Sequence, residues 1–145
     1  MMVYVLKEIS AGHCIDDEPK CGRFHGHNYR IEVSIEGSTD DRSSMVVNFD
    51  DIKKMIDEYD HKFLVTESHI LEDSGGEFVK VELNHNTYSL LKRDIAVIKD
   101  FKQATAEALA RVIASRIYND FLMRVYKVRV RVWETSKSYA EVELP

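Results

Sequence analysis

Apolar and polar residues alternate with period two over the clearest stretches of this chain. From Phe24 to Glu36, the odd positions His25, His27, Tyr29, Ile31, Val33 and Ile35 alternate with Asn28, Arg30, Glu32, Ser34 and Glu36. This is the pattern of a strand with one buried face. From Val125 to Glu134 it returns, with Tyr126, Val128, Val130 and Val132 on one side and Lys127, Arg129 and Arg131 on the other. Residues 2–9 are β-branched and aromatic enough for a further strand, with a bulge or turn at Gly12. Met45 to Phe49 predicts a short one. Helical spacing takes over twice. Ile52, Met55, Ile56 and Tyr59 predict a helix over 51–59 capped by Asp50, and Leu109, Val112, Ile113, Ile117 and Phe121 predict one over 106–122 capped by Thr105. Residues 62–100 are the least regular, with a turn at Ser74–Gly76, a strand over Phe78–Leu83 and an apolar piece at Ile95–Ile98. Together these elements predict one α+β domain over residues 1–145, an antiparallel four-stranded sheet with two helices on one face. A second copy of the chain could cover the other face.

Composition narrows the class. A net charge of −5 with no basic run argues against nucleic acid as a partner. No apolar run approaches the roughly 20 residues that span a bilayer, so no membrane association is expected. Met1 to Ile9 carries Lys7 and Glu8 and does not read as a signal peptide. The only cysteines, Cys14 and Cys21, do not make a disulfide framework, so a cytoplasmic location is expected.

Candidate chemistry gathers around Cys21-Gly22-Arg23-Phe24-His25-Gly26-His27. Two strand residues separated by one project from the same face, so His25 and His27 can share a cation, and imidazole is a common zinc ligand. The bland alternative is an ordinary pair of strand histidines. Cys21 could be catalytic, a fourth ligand in a closed structural site, or an inert thiol. Glu134 continues the apolar parity of its strand, and a carboxylate on a core face needs a protein partner or a polar ligand. Asp60-His61 follows the first helix, where the dipole alone also attracts histidine.

Five features in order now resemble a known family over nearly the full length. They are Ile9-Ser10-Ala11-Gly12-His13, the segment from Cys21 to His27, Asp60-His61 after an amphipathic helix, Thr105-Ala106-Glu107, and Trp133-Glu134-Thr135. The chain resembles the 6-pyruvoyl-tetrahydropterin synthase family, and the spacing from Cys21 to His25 most resembles its 6-carboxy-tetrahydropterin synthase branch. The resemblance implies a zinc ion on His13, His25 and His27, with an open position for side-chain oxygens of 7,8-dihydroneopterin triphosphate. It implies Cys21 as general acid or base, Asp60 and His61 as a second proton relay, and Glu134 gripping the pterin edge. Thr105 and Glu107 match a further substrate-contacting segment. It also implies a T-fold that closes into a barrel as a hexamer, a dimer of trimers, with the site at a subunit interface. The expected reaction yields 6-carboxy-5,6,7,8-tetrahydropterin, acetaldehyde and triphosphate in the queuosine and deazapurine pathway. Alternatives are triphosphate elimination to the pyruvoyl product, cleavage to a hydroxymethyl pterin for folate, or a closed zinc module without turnover. The chain departs from the family pattern at Gly12, where alanine is usual, at Ala104, where proline often precedes the threonine, and at Ala108, where asparagine is common.

Overall fold

In a computed structural model that describes residues 1–145, the two long alternating stretches form the centre of the larger sheet. Strand β1 (Met2–His13) pairs antiparallel with β2 (His25–Gly37) in unbroken register from Met2 opposite Glu36 to His13 opposite His25. Helix α1 (Phe49–Asp57), strand β3 (Lys62–Thr66), strands β4 (Ile70–Asp73), β5 (Phe78–Leu83) and β6 (Asn86–Leu91), then β7 (Ile95–Ile98) follow. Helix α2 (Ala106–Asp120) leads to β8 (Val125–Thr135) and β9 (Ser138–Leu144). The larger sheet has six strands in the order β7-β3-β1-β2-β8-β9, and β4, β5 and β6 make a separate three-stranded sheet.

The four-stranded antiparallel expectation is therefore corrected to a six-stranded mixed sheet, since β1–β3 and β3–β7 run parallel. Parallel strands are buried on both faces and lose the alternation that marks an antiparallel strand, as Phe63-Leu64-Val65 does. Strand β9 does alternate, Ala140, Val142 and Leu144 against Glu141 and Glu143, but only over seven residues. Met45 to Phe49 forms no strand. Val46 and Val47 instead plug the core from an irregular segment, and Asn48, not Asp50, caps α1 by accepting the Asp50 N–H at 2.9 Å. Thr105 caps α2 as expected, accepting the Ala108 N–H at 3.2 Å. Strand β1 continues through Gly12 without a turn. Tyr126 is 60% exposed rather than core-facing, because a register break opposite Glu36 and Gly37 buries Val125 instead.

Both helices cover the same sheet face. Ile52 and Ile56 of α1, and Leu109, Ile113 and Ile117 of α2, join Val5, Ile31, Val33 and Val130 in one cluster of 25 buried residues. Tyr4 and Leu6 lie exposed on the opposite face, where Tyr4 and Trp133 both donate to Glu32. No helix is long and apolar enough to cross a membrane.

Candidate metal centre and the clefts beside it

The β1–β2 register assembles the histidines. His13 stands opposite His25, and His27 stands opposite Ala11 two residues further along the same face. One ring nitrogen from each of the three lies within 4.8 Å of the others. The strands meet here through Gly12 opposite Gly26. A Cβ on Gly12 would approach the Phe63 ring to 2.8 Å, and one on Gly26 would approach the Ala11 carbonyl oxygen to 2.9 Å. A side chain at position 12 would therefore force the Phe63 ring to shift.

Backbone carbonyls orient two of the rings. His13 Nδ1 donates to the Ala104 carbonyl at 2.7 Å, and His25 Nδ1 donates to the Arg23 carbonyl at 2.7 Å. A carbonyl only accepts, so both Nδ1 atoms carry protons, and in the neutral ring Nε2 is the nitrogen left with a lone pair. His27 Nε2 is buried with no hydrogen-bond partner. Burial holds the pKa of His13 and of His27 below the usual imidazole value, against the opposing charge of Glu134. Glu134 Oε1 lies 3.5 Å from His13 Nε2 and 3.7 Å from His27 Nε2. The Nδ1 proton of His13 leaves its Nε2 lone pair facing this carboxylate oxygen. That arrangement is repulsive unless a cation or proton lies between them, and burial disfavours the imidazolium that such a proton would make. Three convergent imidazoles, two held by carbonyls behind them and one with an orphaned nitrogen, fit a divalent cation such as zinc. Tyr29, buried below the rings with Oη 3.3 Å from His13 Nδ1, stays a neutral phenol because burial and the Glu134 charge push its pKa far up.

Two clefts flank His27. One, of about 460 Å³, reaches from Ser10 and Asn28 to His61 and Phe63. The other, of about 490 Å³, is lined by Arg30, Trp133, Glu134 and Thr135 among others. Each is the size of a small-molecule site. Asp60 and His61 form the expected pair, with His61 Nδ1 3.0 Å from Asp60 Oδ1. The Ser10 N–H donates to that same oxygen at 2.9 Å and, with His61, holds the Asp60 carboxyl below its usual range. The His61 N–H returns to the Ser10 carbonyl at 2.6 Å. His61 has a left-handed backbone (φ 58) and an 81% exposed side chain, so this pair presents an exposed imidazole to the cleft wall.

Cys21 is exposed and free on the loop between β1 and β2, and its sulfur is not among the mutually close ligand atoms. The structure gathers three ligands, not a closed set of four. Thr105 is half-buried as a helix cap, Glu107 is exposed in the first turn of α2, and neither lines either cleft. The sequence reading assigns no role to Ser10, which anchors the Asp60–His61 pair, or to Ala104 and Arg23, which orient ligands through their carbonyls. Backbone groups carry those roles, so no side-chain pattern announces them.

A family model described as 6-pyruvoyl tetrahydropterin synthase matches residues 2–145. A Pyrococcus abyssi protein provisionally named 6-carboxy-5,6,7,8-tetrahydropterin synthase is 37% identical over 144 residues, covering 98% of this chain and 89% of that one. A Haemophilus influenzae protein named 6-carboxy-5,6,7,8-tetrahydropterin synthase is 28% identical, covering 98% of this chain and 99% of that one. In fold, the chain is similar to 6-pyruvoyl tetrahydropterin synthase from Plasmodium vivax, with a TM-score of 0.74 at 20% identity over 99% of this chain and 98% of that one.

Proposed function

The chain belongs to the 6-pyruvoyl tetrahydropterin synthase family, and from that premise we propose that it converts 7,8-dihydroneopterin triphosphate to 6-carboxy-5,6,7,8-tetrahydropterin, acetaldehyde and triphosphate. As a family member it is a tetrahydropterin synthase, a lyase-type enzyme. The observation that carries a metal-dependent reading is the orphaned His27 Nε2 among three converging imidazoles. The choice of the carboxy product is supported by the names of the relatives and by the three residues between Cys21 and His25.

His13, His25 and His27 would hold a zinc ion, with the Ala104 and Arg23 carbonyls fixing two of the rings. Such an ion, with three protein ligands and an open position, supplies Lewis-acid polarisation of a substrate oxygen. Glu134 borders the cleft that contains Trp133 and Arg30, and its carboxylate accepts from the donor edge of the pterin ring. Cys21 and the Asp60–His61 pair exchange protons with the substrate side chain, His61 from the wall of the other cleft. Thr105 and Glu107 line neither cleft of a single chain, so their role as substrate contacts depends on a site shared between copies. A cytoplasmic homohexamer serving queuosine or deazapurine synthesis completes the reading. The exposed sheet face bearing Tyr4 and Leu6 supports an oligomer.

The test is a mass-spectrometric product assay on zinc-loaded protein with that triphosphate. A carboxy-pterin with acetaldehyde is the expected result. A pyruvoyl or hydroxymethyl pterin overturns the branch while keeping the site, and zinc-bound, folded protein without turnover overturns the enzymatic reading for this substrate. Cys21→Ala should keep zinc and fold while losing turnover. Loss of zinc would make Cys21 a ligand instead.

A further inference from the structure

The loop that carries Cys21 closes on itself through four backbone hydrogen bonds. The Ile15 N–H reaches the Cys21 carbonyl at 2.7 Å, Gly22 reaches Glu18 at 2.8 Å, Arg23 reaches Lys20 at 3.3 Å and Glu18 reaches Ile15 at 3.4 Å. Its attachment to the rest of the molecule comes from segments far away in sequence, and most of those bonds converge on Asp16. Asp16 Oδ1 accepts the backbone N–H of Asn84, at the β5–β6 turn, at 2.7 Å. Asp16 Oδ2 accepts the Gln103 side-chain amide at 3.1 Å, and the Asp16 N–H donates back to Gln103 Oε1 at 3.0 Å.

The third partner is His69. The Thr66 N–H donates to His69 Nδ1 at 3.2 Å, so Nδ1 holds the lone pair and Nε2 the proton. That proton points at Asp16 Oδ2, 3.1 Å away. Burial works against the Asp16 charge, but Asn84, Gln103 and His69 outweigh it and hold the carboxyl below its usual range. The contact continues along the loop. The Asp17 N–H donates to Asn84 Oδ1 at 2.9 Å, and a Cβ on Gly22 would come within 2.8 Å of Asn84 Nδ2. Phe24 then packs on Phe63 and Tyr88, with ring centroids 5.0 and 4.9 Å away.

We propose that Asp16 is a positioning residue: it locks the Cys21 loop onto the β5–β6 turn and onto Gln103, so that the thiol is held in fixed relation to the three histidines. Gln103 precedes Ala104, whose carbonyl orients His13, so one short segment sets both the loop and a ligand ring. The smaller sheet then has a mechanical role in this enzyme, as the surface against which the Cys21 loop is set. Its effect on turnover rests on the proposed role of Cys21; the locking itself does not.

The test uses the zinc-loaded full chain with Asp16→Ala, and Asp16→Asn as the conservative variant. Amide hydrogen exchange over residues 15–24 should rise at least about tenfold in Asp16→Ala, while Ile31 and Val33 in β2 stay protected. Turnover should fall about 10- to 100-fold in kcat with KM changed less than about threefold, the sign of lost positioning rather than lost binding. Asp16→Asn keeps an acceptor for Asn84 and recovers part of both losses. Placed in a Cys21→Ala background, Asp16→Ala should lower the residual rate no further.

Unchanged exchange over 15–24 overturns the locking. Raised exchange with an equal fold loss in both backgrounds overturns the route through Cys21. Full turnover in Cys21→Ala alone overturns the proposed role of the thiol, while exchange still decides the locking. If Asp16→Ala does not fold, Asn84→Gly takes its place. It tolerates the left-handed backbone (φ 47) and keeps the donor to Asp16, but removes the acceptor of the Asp17 N–H. The same pattern at smaller amplitude supports the locking, and unchanged exchange overturns it.

Discussion

The six-stranded sheet and the three-stranded sheet are joined where β3 ends, and they are stabilised in different ways. The larger closes over 25 buried residues with two helices on its face. The smaller rests on Cys14, Val65, Val79, Val81 and Leu83, and much of its grip on the Cys21 loop is polar, through Asn84 and His69. Histidines on paired strands inherit the rigidity of a large core, which is what a metal centre needs. A loop that must be placed against that centre draws its position from a weaker, separately removable element. The two regions should therefore fail separately, and each of the following variants separates them.

The largest effect is expected at the rigid end. His27→Ala removes the ligand whose Nε2 has no other partner. Zinc stoichiometry should fall and kcat should drop by at least about 10³-fold, beyond the roughly 10- to 100-fold typical when only a group behind a ligand is lost. Metal analysis beside the product assay checks it. A variant that keeps stoichiometric zinc would remove His27 from the ligand set.

Next come the two cores. Ile31 and Leu83 are both buried, but in different clusters. Ile31→Ala should cost about 3–4 kcal/mol and move the main unfolding transition in urea. Leu83→Ala should cost about 2–3 kcal/mol, with most of the loss confined to local opening of residues 70–91. Hydrogen exchange distinguishes the two. Uniform loss of protection in Leu83→Ala would mean that the sheets form one cooperative unit. Phe24→Ala should be milder, about 1 kcal/mol, since Phe24 is half exposed where it stacks on Phe63 and Tyr88. A thermal scan reads it as a small drop in Tm.

The contrast also explains what the sequence discloses. His25, His27 and Glu134 are legible because their parity is the parity of long half-buried strands, and β1, β2 and β8 carry that parity through the core. Helices α1 and α2 are legible for the same reason, by a different period. Strands β3 and β7 are not, because short parallel strands buried on both sides have no alternation to read. Strand β9 does carry a readable alternation in Ala140, Val142 and Leu144, over a span too short to stand out beside β8. Asn48 outcompetes Asp50 as a cap because the helix begins two residues earlier than the apolar spacing suggests, and boundaries are where spacing is weakest. The grip of Asn84 and His69 on Asp16 spans separations of 68 and 53 residues, and no local pattern reports a contact at that distance.

The smallest effect sits at the junction itself and is read by thiol reactivity. Cys14 is buried between the sheets, and burial, with the Asp16 charge adding to it, pushes its thiol up to about 11. Cys21 is exposed on the loop. An alkylating reagent attacks thiolates, so at pH 8 the folded chain should take up one label, at Cys21. The sign follows from the shift. An unfolded thiol ionises near about 8.5, so the protonated buried form favours the folded state below that pH, and this contribution is lost as pH rises toward about 11. Labelling of Cys14 in the native protein should accordingly appear only as pH climbs toward that value. Leu83→Ala, by opening the smaller cluster alone, should let Cys14 react at pH 8 while zinc stays bound to the histidines. Peptide mapping after labelling reads both sites at once. Equal labelling of Cys14 in the parent and in Leu83→Ala would mean that the junction is closed by the larger sheet, and that the smaller one guards nothing there.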